Sequence, residues 1–140
     1  MRLSKKPKVV LDTNVFLSAF LFGGYCKLVL ELYEKKFYQS FISQALKIEI
    51  IDKLEHKFLV SKEYLTDVES YLNSFEYIHT LVHSIHSKLL RDKKDSFLID
   101  LIETVNADYL VTGDKDLLVF NEWKNTKVIK PRNFIHELFS

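Results

Sequence analysis

Three kinds of residue are scarce in this sequence, and each shortage narrows the reading. A single cysteine, Cys26, in 140 residues excludes an internal disulfide and any zinc site built on cysteine, and it fits a reducing compartment. Three glycines and two prolines leave little material for long structureless connections, so most of the chain is expected to be helix or strand. No apolar run approaches the roughly eighteen residues of a membrane span. The basic start Met1-Arg2-Leu3-Ser4-Lys5-Lys6-Pro7 is not followed by an apolar signal core. A Gly-rich phosphate loop is also missing, which argues against nucleotide hydrolysis of the P-loop kind. No internal repeat, low-complexity tract or linker breaks the chain. The expectation is a soluble cytoplasmic protein of one domain, residues 1–140, with its core from about residue 8 to about residue 135.

A strong charge imbalance is absent too. Twenty basic and nineteen acidic residues leave a net charge of +1, so only local patches bear on nucleic-acid binding. What the chain does have is apolar surface: 47% hydrophobic and 14% aromatic residues fill a core and argue against disorder.

The apolar pattern alternates between strands and helices. Lys8 to Leu11 and Tyr109 to Val111 read as buried strands, Phe37 to Ile42 as a second strand, and Lys127 to Ile129 as a last short one. Between them, Val15 to Phe22 reads as a helix stopped at Gly23-Gly24, followed by a helical stripe from Lys27 to Lys36. Ser43 and Ser61 are placed to cap two further helices, striped by Leu46, Ile50, Leu54 and Phe58 and by Leu65, Val68, Leu72 and Phe75. Asp95 to Asn106 is helical by pattern, Phe134 to Phe139 reads as a terminal helical turn, and Tyr77 to Leu90 fits either helix or strand. Strands alternating with helices of this length imply a parallel sheet with right-handed crossovers, an α/β fold.

Two of the strands stop abruptly at aspartate: Val9-Val10-Leu11-Asp12-Thr13-Asn14 and Tyr109-Leu110-Val111-Thr112-Gly113-Asp114. In an open α/β sheet ligands sit beyond the carboxyl ends of the strands, so both carboxylates are expected in one crevice. Asp95 falls in the first turn of its helix. Glu49 lies about 60° from Leu46 on the helix that Ser43 starts, at the edge of the buried stripe. A ring of carboxylates suits Mg²⁺ or Mn²⁺, which take oxygen ligands without histidine or cysteine. Such an ion activates water and neutralises phosphate charge. Each acid also has an ordinary reading: Asp12 as a helix cap, Asp114-Lys115-Asp116 as a polar turn, Asp95 as a partner of the helix dipole, Glu49 as a solvated helix residue.

With these residues in view, the chain resembles the PIN-domain nucleases, in the subgroup described as toxin components of toxin–antitoxin systems. The matching segments are Leu11 to Val15, Ser43 to Glu49, Arg91 to Asp95, Ala107 to Leu118 and Lys130-Pro131-Arg132-Asn133-Phe134, together spanning about Val9 to Phe134. The resemblance implies a three-layer α/β/α sandwich around a parallel sheet and an Mg²⁺- or Mn²⁺-dependent endoribonuclease. It carries the family's catalytic acids onto Asp12, Glu49, Asp95 and Asp114, with Asp116 as a further metal ligand beside Asp12, Asp95 and Asp114. Thr13, Asn14 and Thr112 match polar positions that orient carboxylates and water. A homodimer and a small antitoxin protein are the implied partners, and single-stranded or looped RNA the implied substrate. Lys93 stands where the pattern has proline, and Ile102, Glu103 and Asn106 stand where it has small residues. Asp52 and Glu55, on the same helix, are alternatives to Glu49.

Lys5, Lys6 and Lys8, and Lys88, Arg91, Lys93 and Lys94, are candidate phosphate contacts, with plain solvated charge as the alternative. His79, His83 and His86 are spaced for one helix face; with no cysteine and no carboxylate in register, contact with solvent or RNA is favoured over zinc. A haloacid-dehalogenase-like phosphatase also starts from a strand ending in aspartate, but it wants a second acid two residues on, where Asn14 stands. The rival of another class is an inactive RNA-binding or scaffolding domain, which a metal titration separates from a nuclease.

Overall fold

The computed structural model describes residues 5–83 and 93–140, the side chains of residues 93 and 94 lying outside that description. Its strands are β1 (Lys8–Leu11), β2 (Gln39–Ser43), β3 (Glu76–Ile78), β4 (Tyr109–Val111), β5 (Glu122–Trp123) and β6 (Thr126–Ile129), arranged in the order β3-β2-β1-β4-β6-β5. All pairings are parallel except that of the two-residue edge strand β5 with β6. The central strands β1 and β4 are apolar without alternation because both faces are covered. Val9, Val10, Leu11, Leu110 and Val111 are all 0% exposed.

Helices α1 (Thr13–Leu21) and α2 (Gly24–Glu34) join β1 to β2, and α3 (Gln44–Asp52) and α4 (Lys62–Leu72) join β2 to β3. Helix α5 (Lys93–Val105) leads into β4, the single turn α6 (Lys115–Leu118) follows it, and α7 (Pro131–Leu138) follows β6. The α1–α2 corner is made by Gly23 and Gly24 at φ 89° and 67°, a region other residues enter only with strain. Four-residue spacing of Leu46, Ile50 and Leu54 drifts about 40° per step on an α-helix. A π-helical turn over Lys53–Lys57, with Phe58 N–H bonded to Lys53 O, takes up that drift, and all three leucine and isoleucine side chains stay fully buried.

Both predicted caps form: Ser43 Oγ accepts from Leu46 N at 3.3 Å and Ser61 Oγ from Tyr64 N at 3.1 Å. Ser43 is itself buried at the end of β2, so Ser43→Ala is expected to cost about 1 kcal/mol. On a chain of this size that lowers the melting temperature by on the order of 4 °C; an unchanged melting curve would show that the cap adds nothing.

Tyr77 to Leu90 does not form one helix: Glu76–Ile78 is the edge strand β3, residues 79–83 are irregular, and the remainder lies outside the described residues. Two positions that depart from the family pattern have structural work. Asn106 takes φ 54° just after α5, with Ala107 N–H bonded back to Ile102 O, a left-handed cap that asparagine tolerates. Glu103 holds the β5–β6 hairpin, accepting from Trp123 Nε1 at 2.7 Å and Lys124 Nζ at 3.0 Å. Among the described residues, no single helix is long and apolar enough to cross a membrane.

Candidate active site

After β1 the chain builds the sheet in one direction, through β2 to β3; after β3 it returns and builds in the other, through β4 to β6. The reversal falls between β1 and β4. Open α/β sheets form their ligand crevice at that switch point, beyond the carboxyl ends of the strands. Asp12 follows β1 and Asp114 lies three residues past β4, so the two acids flank it.

One hydroxyl ties the Asp12 side chain to the Asp114 backbone. The β1–β4 register, Leu11 beside Val111, continues with Asp12 N–H bonded to Val111 O at 3.0 Å. Thr112, fully buried, donates from Oγ1 to Asp12 Oδ2 at 2.7 Å and accepts from Asp114 N at 3.0 Å. Asp114 Oδ1 in turn accepts from Asp116 N at 2.9 Å, capping α6, while the Asp116 side chain is exposed. Asp12 stands at the N-cap position of α1 but makes no side-chain capping bond. The cap reading of Asp12 therefore does not account for its carboxylate.

Asp12 is 7% exposed, and burial pushes its carboxyl above the usual carboxylate range. The Thr112 hydroxyl and the Thr13 backbone lower it; the charges of Asp114 and Glu49 raise it further. Those last two influences bring Glu49 into the same field, from α3 on the far side of β2. Glu49 is partly buried and holds Lys53 Nζ at 3.7 Å, whereas Asp52 and Glu55 turn to His56 at 3.0 and 4.0 Å. Asp95 is buried, 6% exposed, in the first turn of α5. Because the far end of α5 feeds the start of β4, that first turn lies towards the carboxyl edge of the sheet. Thr13 Oγ1 is buried with no hydrogen-bond partner, and Asn14 is exposed.

The donor set here is hard oxygen throughout, and a buried, like-charged carboxylate beside an unpartnered hydroxyl is an arrangement a divalent cation would relieve. Among the described residues, no three His, Cys, Asp or Glu side chains are gathered so as to hold an ion by themselves. Mg²⁺ does not require that, since it keeps several waters and is held by one or two carboxylates. The chemistry of the residues fits such an ion, with water completing its shell.

The basic candidates separate. Lys88 and Arg91 lie outside the described residues, as do the side chains of Lys93 and Lys94. Lys5, Lys6 and Lys8 line a concavity of about 570 Å³ with Lys127, at the amino ends of the strands and so away from the acids. His79 packs on the Tyr77 ring at 4.6 Å, and His86 is outside the described residues. His83 Nδ1 meets Asp100 Oδ2 at 3.1 Å. Asp100, 7% exposed on α5, is a buried acid that the sequence pattern does not single out; its only signal is Thr104 four residues on, whose hydroxyl bonds Asp100 O at 2.7 Å.

Comparison with curated proteins gives no match. Among solved structures, the chain is similar in fold to a chain in the crystal structure of VapBC2 from Rickettsia felis bound to a DNA fragment from their promoter. The TM-score is 0.59 at 20% identity, covering 86% of this chain and 96% of that one. The family model of the PIN domain matches residues 8–116, a span that takes in the switch point and all four acids, and the chain belongs to the PIN-domain family.

Proposed function

We propose that this protein is a divalent-metal-dependent endoribonuclease, the toxin component of a toxin–antitoxin pair, acting in the cytoplasm on single-stranded or looped RNA. The observation that carries the reading is the Thr112 hydroxyl, which links the buried Asp12 carboxylate to Asp114 across the switch point of the sheet. Membership of the PIN-domain family supports nuclease chemistry, and likeness in fold to a chain of the VapBC2 assembly supports a small antitoxin partner. A homodimer goes with the same reading.

In this proposal Asp12, Asp95 and Asp114 hold Mg²⁺ or Mn²⁺, Glu49 and Asp116 complete the shell directly or through water, and Thr13, Asn14 and Thr112 orient the carboxylates and water. When bound, the ion supplies Lewis-acid activation of water and charge neutralisation at the phosphate. The protein's own part is to keep Asp12 buried and aimed by the Thr112 hydroxyl.

The test is incubation of the purified chain with defined RNAs in Mn²⁺, Mg²⁺ or EDTA. Cleavage is expected with either ion and none with EDTA. Equal cleavage in EDTA, or none with any divalent ion, overturns the reading and favours the inactive binding domain.

A further inference from the structure

A second group of side chains stands at the same edge of the sheet and is unlike the acids in every respect. Strand β6 runs beside β4 in the register Val111 beside Ile129, and Thr112 N–H bonds Ile129 O at 2.9 Å. Lys130 therefore lies next to Thr112, about one strand spacing (~4.8 Å) away. Two residues on, the Arg132 guanidinium lies over the ring of Tyr25, its Cζ 5.9 Å from the centroid. Tyr25 reaches it from the first turn of α2, which packs against α7; the ring is 53% exposed, and Lys130 and Arg132 are exposed as well.

The pairing these cations do not make is informative. Among the described residues neither Lys130 nor Arg132 has an ion pair, although Asp114 and Asp116 follow the neighbouring strand. Arg132 instead is exposed, with its guanidinium over an aromatic ring. A guanidinium beside a ring, with no ion pair among the described residues, keeps its fork for a planar or tetrahedral oxyanion. An exposed ring beside it offers a surface to any unpaired base. Acids that want a cation and cations free for phosphate, side by side but unpaired, match a phosphodiester strand: one phosphate at the acids, its neighbour on the rim.

We propose that Tyr25, Arg132 and Lys130 form a rim that docks the nucleotide next to the cleaved bond, Tyr25 stacking on its base while Arg132 and Lys130 hold flanking phosphates. The assignment rests on the nuclease reading for its place in the reaction, but it is a claim about binding and is tested as one. Because stacking needs an unpaired base, the rim selects single strands over duplex.

The experiment is binding of a short labelled oligoribonucleotide in EDTA, followed by fluorescence anisotropy over a range of salt, with melting curves recorded for every variant. Tyr25→Leu is expected to weaken binding on the order of tenfold. Arg132→Gln and Lys130→Gln should each flatten the salt dependence, by about 0.7 in the slope of log affinity against log salt. Arg132→Lys, which keeps the charge and loses the fork, should restore that slope without restoring affinity. A duplex of the same sequence should bind more weakly than the single strand and be indifferent to Tyr25→Leu. Unchanged affinity in folded variants, equal binding of duplex and single strand, or no binding of RNA by the wild type each overturns the rim. RNA binding that depends on these residues in a protein that cuts nothing with Mn²⁺ or Mg²⁺ sinks the nuclease reading and leaves the rim standing.

Discussion

Asp12→Asn is expected to abolish metal-dependent RNA cleavage, by on the order of 10³-fold or more, about 4 kcal/mol of transition-state stabilisation. In EDTA the same variant should melt no lower than the wild type. The two halves of this result have one cause. Burial, with Asp114 and Glu49 nearby, raises the pKa of Asp12 in the folded protein above its unfolded value. A raised carboxyl binds its proton more tightly in the fold, so its contribution to stability is fully present below the unfolded pKa, about 3.9, and is lost as pH rises through the folded value. Above the folded pKa the metal-free wild type carries an ionised, desolvated carboxylate, and asparagine removes that charge while keeping an oxygen to accept from Thr112. The melting difference, variant minus wild type, should therefore grow as pH rises above about 4, until pH passes the folded pKa.

Mn²⁺ should invert the order. An ion that binds only the folded wild type at about a hundredfold over its Kd adds roughly 2.7 kcal/mol, several degrees in melting temperature, and Asp12→Asn should lose most of that gain. Scanning calorimetry of both proteins, with and without Mn²⁺, decides the matter. A variant that melts lower in EDTA at neutral pH, or that gains as much from Mn²⁺ as the wild type, would remove Asp12 from the metal site.

The parts of this architecture that are legible in the sequence share a physical trait: they are set by local chemistry or by long apolar runs. Val9-Val10-Leu11 and Leu110-Val111 announce doubly covered strands because no polar residue interrupts them, and Ser43 and Ser61 announce helix starts because a hydroxyl there meets a free amide. What stays hidden is short or depends on distant partners. Strand β3 has three residues on an edge, with Glu76 and Tyr77 exposed, so neither alternation nor a continuous apolar run marks it. Strand β5, with two residues, and helix α6, with four, are too short for a period to repeat and reveal them. Helix α7 begins earlier than its apolar pattern does, at Pro131, a residue whose fixed φ and missing N–H suit the first helical position.

The candidate site divides in the same way. That Asp12 and Asp114 follow strands is readable from their own segments, and the order of strands then sets them on either side of the switch point. The bond from Thr112 to Asp12 joins residues 100 apart and leaves no local signature, and neither does the meeting of Tyr25 with Arg132. Asn106 and Glu103 look like departures in a row of letters and become a left-handed cap and a hairpin anchor once their partners are in place.

Thr112→Val is the second substitution with a large expected effect, and it separates orientation from mere packing. Valine matches the shape of threonine but keeps neither hydrogen bond, so a buried Asp12 oxygen loses its donor and the Asp114 amide loses its acceptor. Each stranded group costs about 1–3 kcal/mol, which on a chain of this size lowers the melting temperature by on the order of 10 °C. Activity at saturating Mn²⁺ should fall on the order of 10²-fold, the scale seen when one preorganised hydrogen bond is removed from a catalytic site. Thr112→Ser keeps the hydroxyl, loses a methyl group, and should recover most of the activity. The reading that isolates orientation is the Mn²⁺ concentration for half-maximal cleavage. If Thr112 aims Asp12 and Asp114 at a shared ion, valine raises that concentration and serine leaves it near the wild-type value. If valine lowers activity only by unfolding part of the sample, the active fraction drops and the Mn²⁺ midpoint stays where it was, and the hydroxyl then belongs to the core and not to the site.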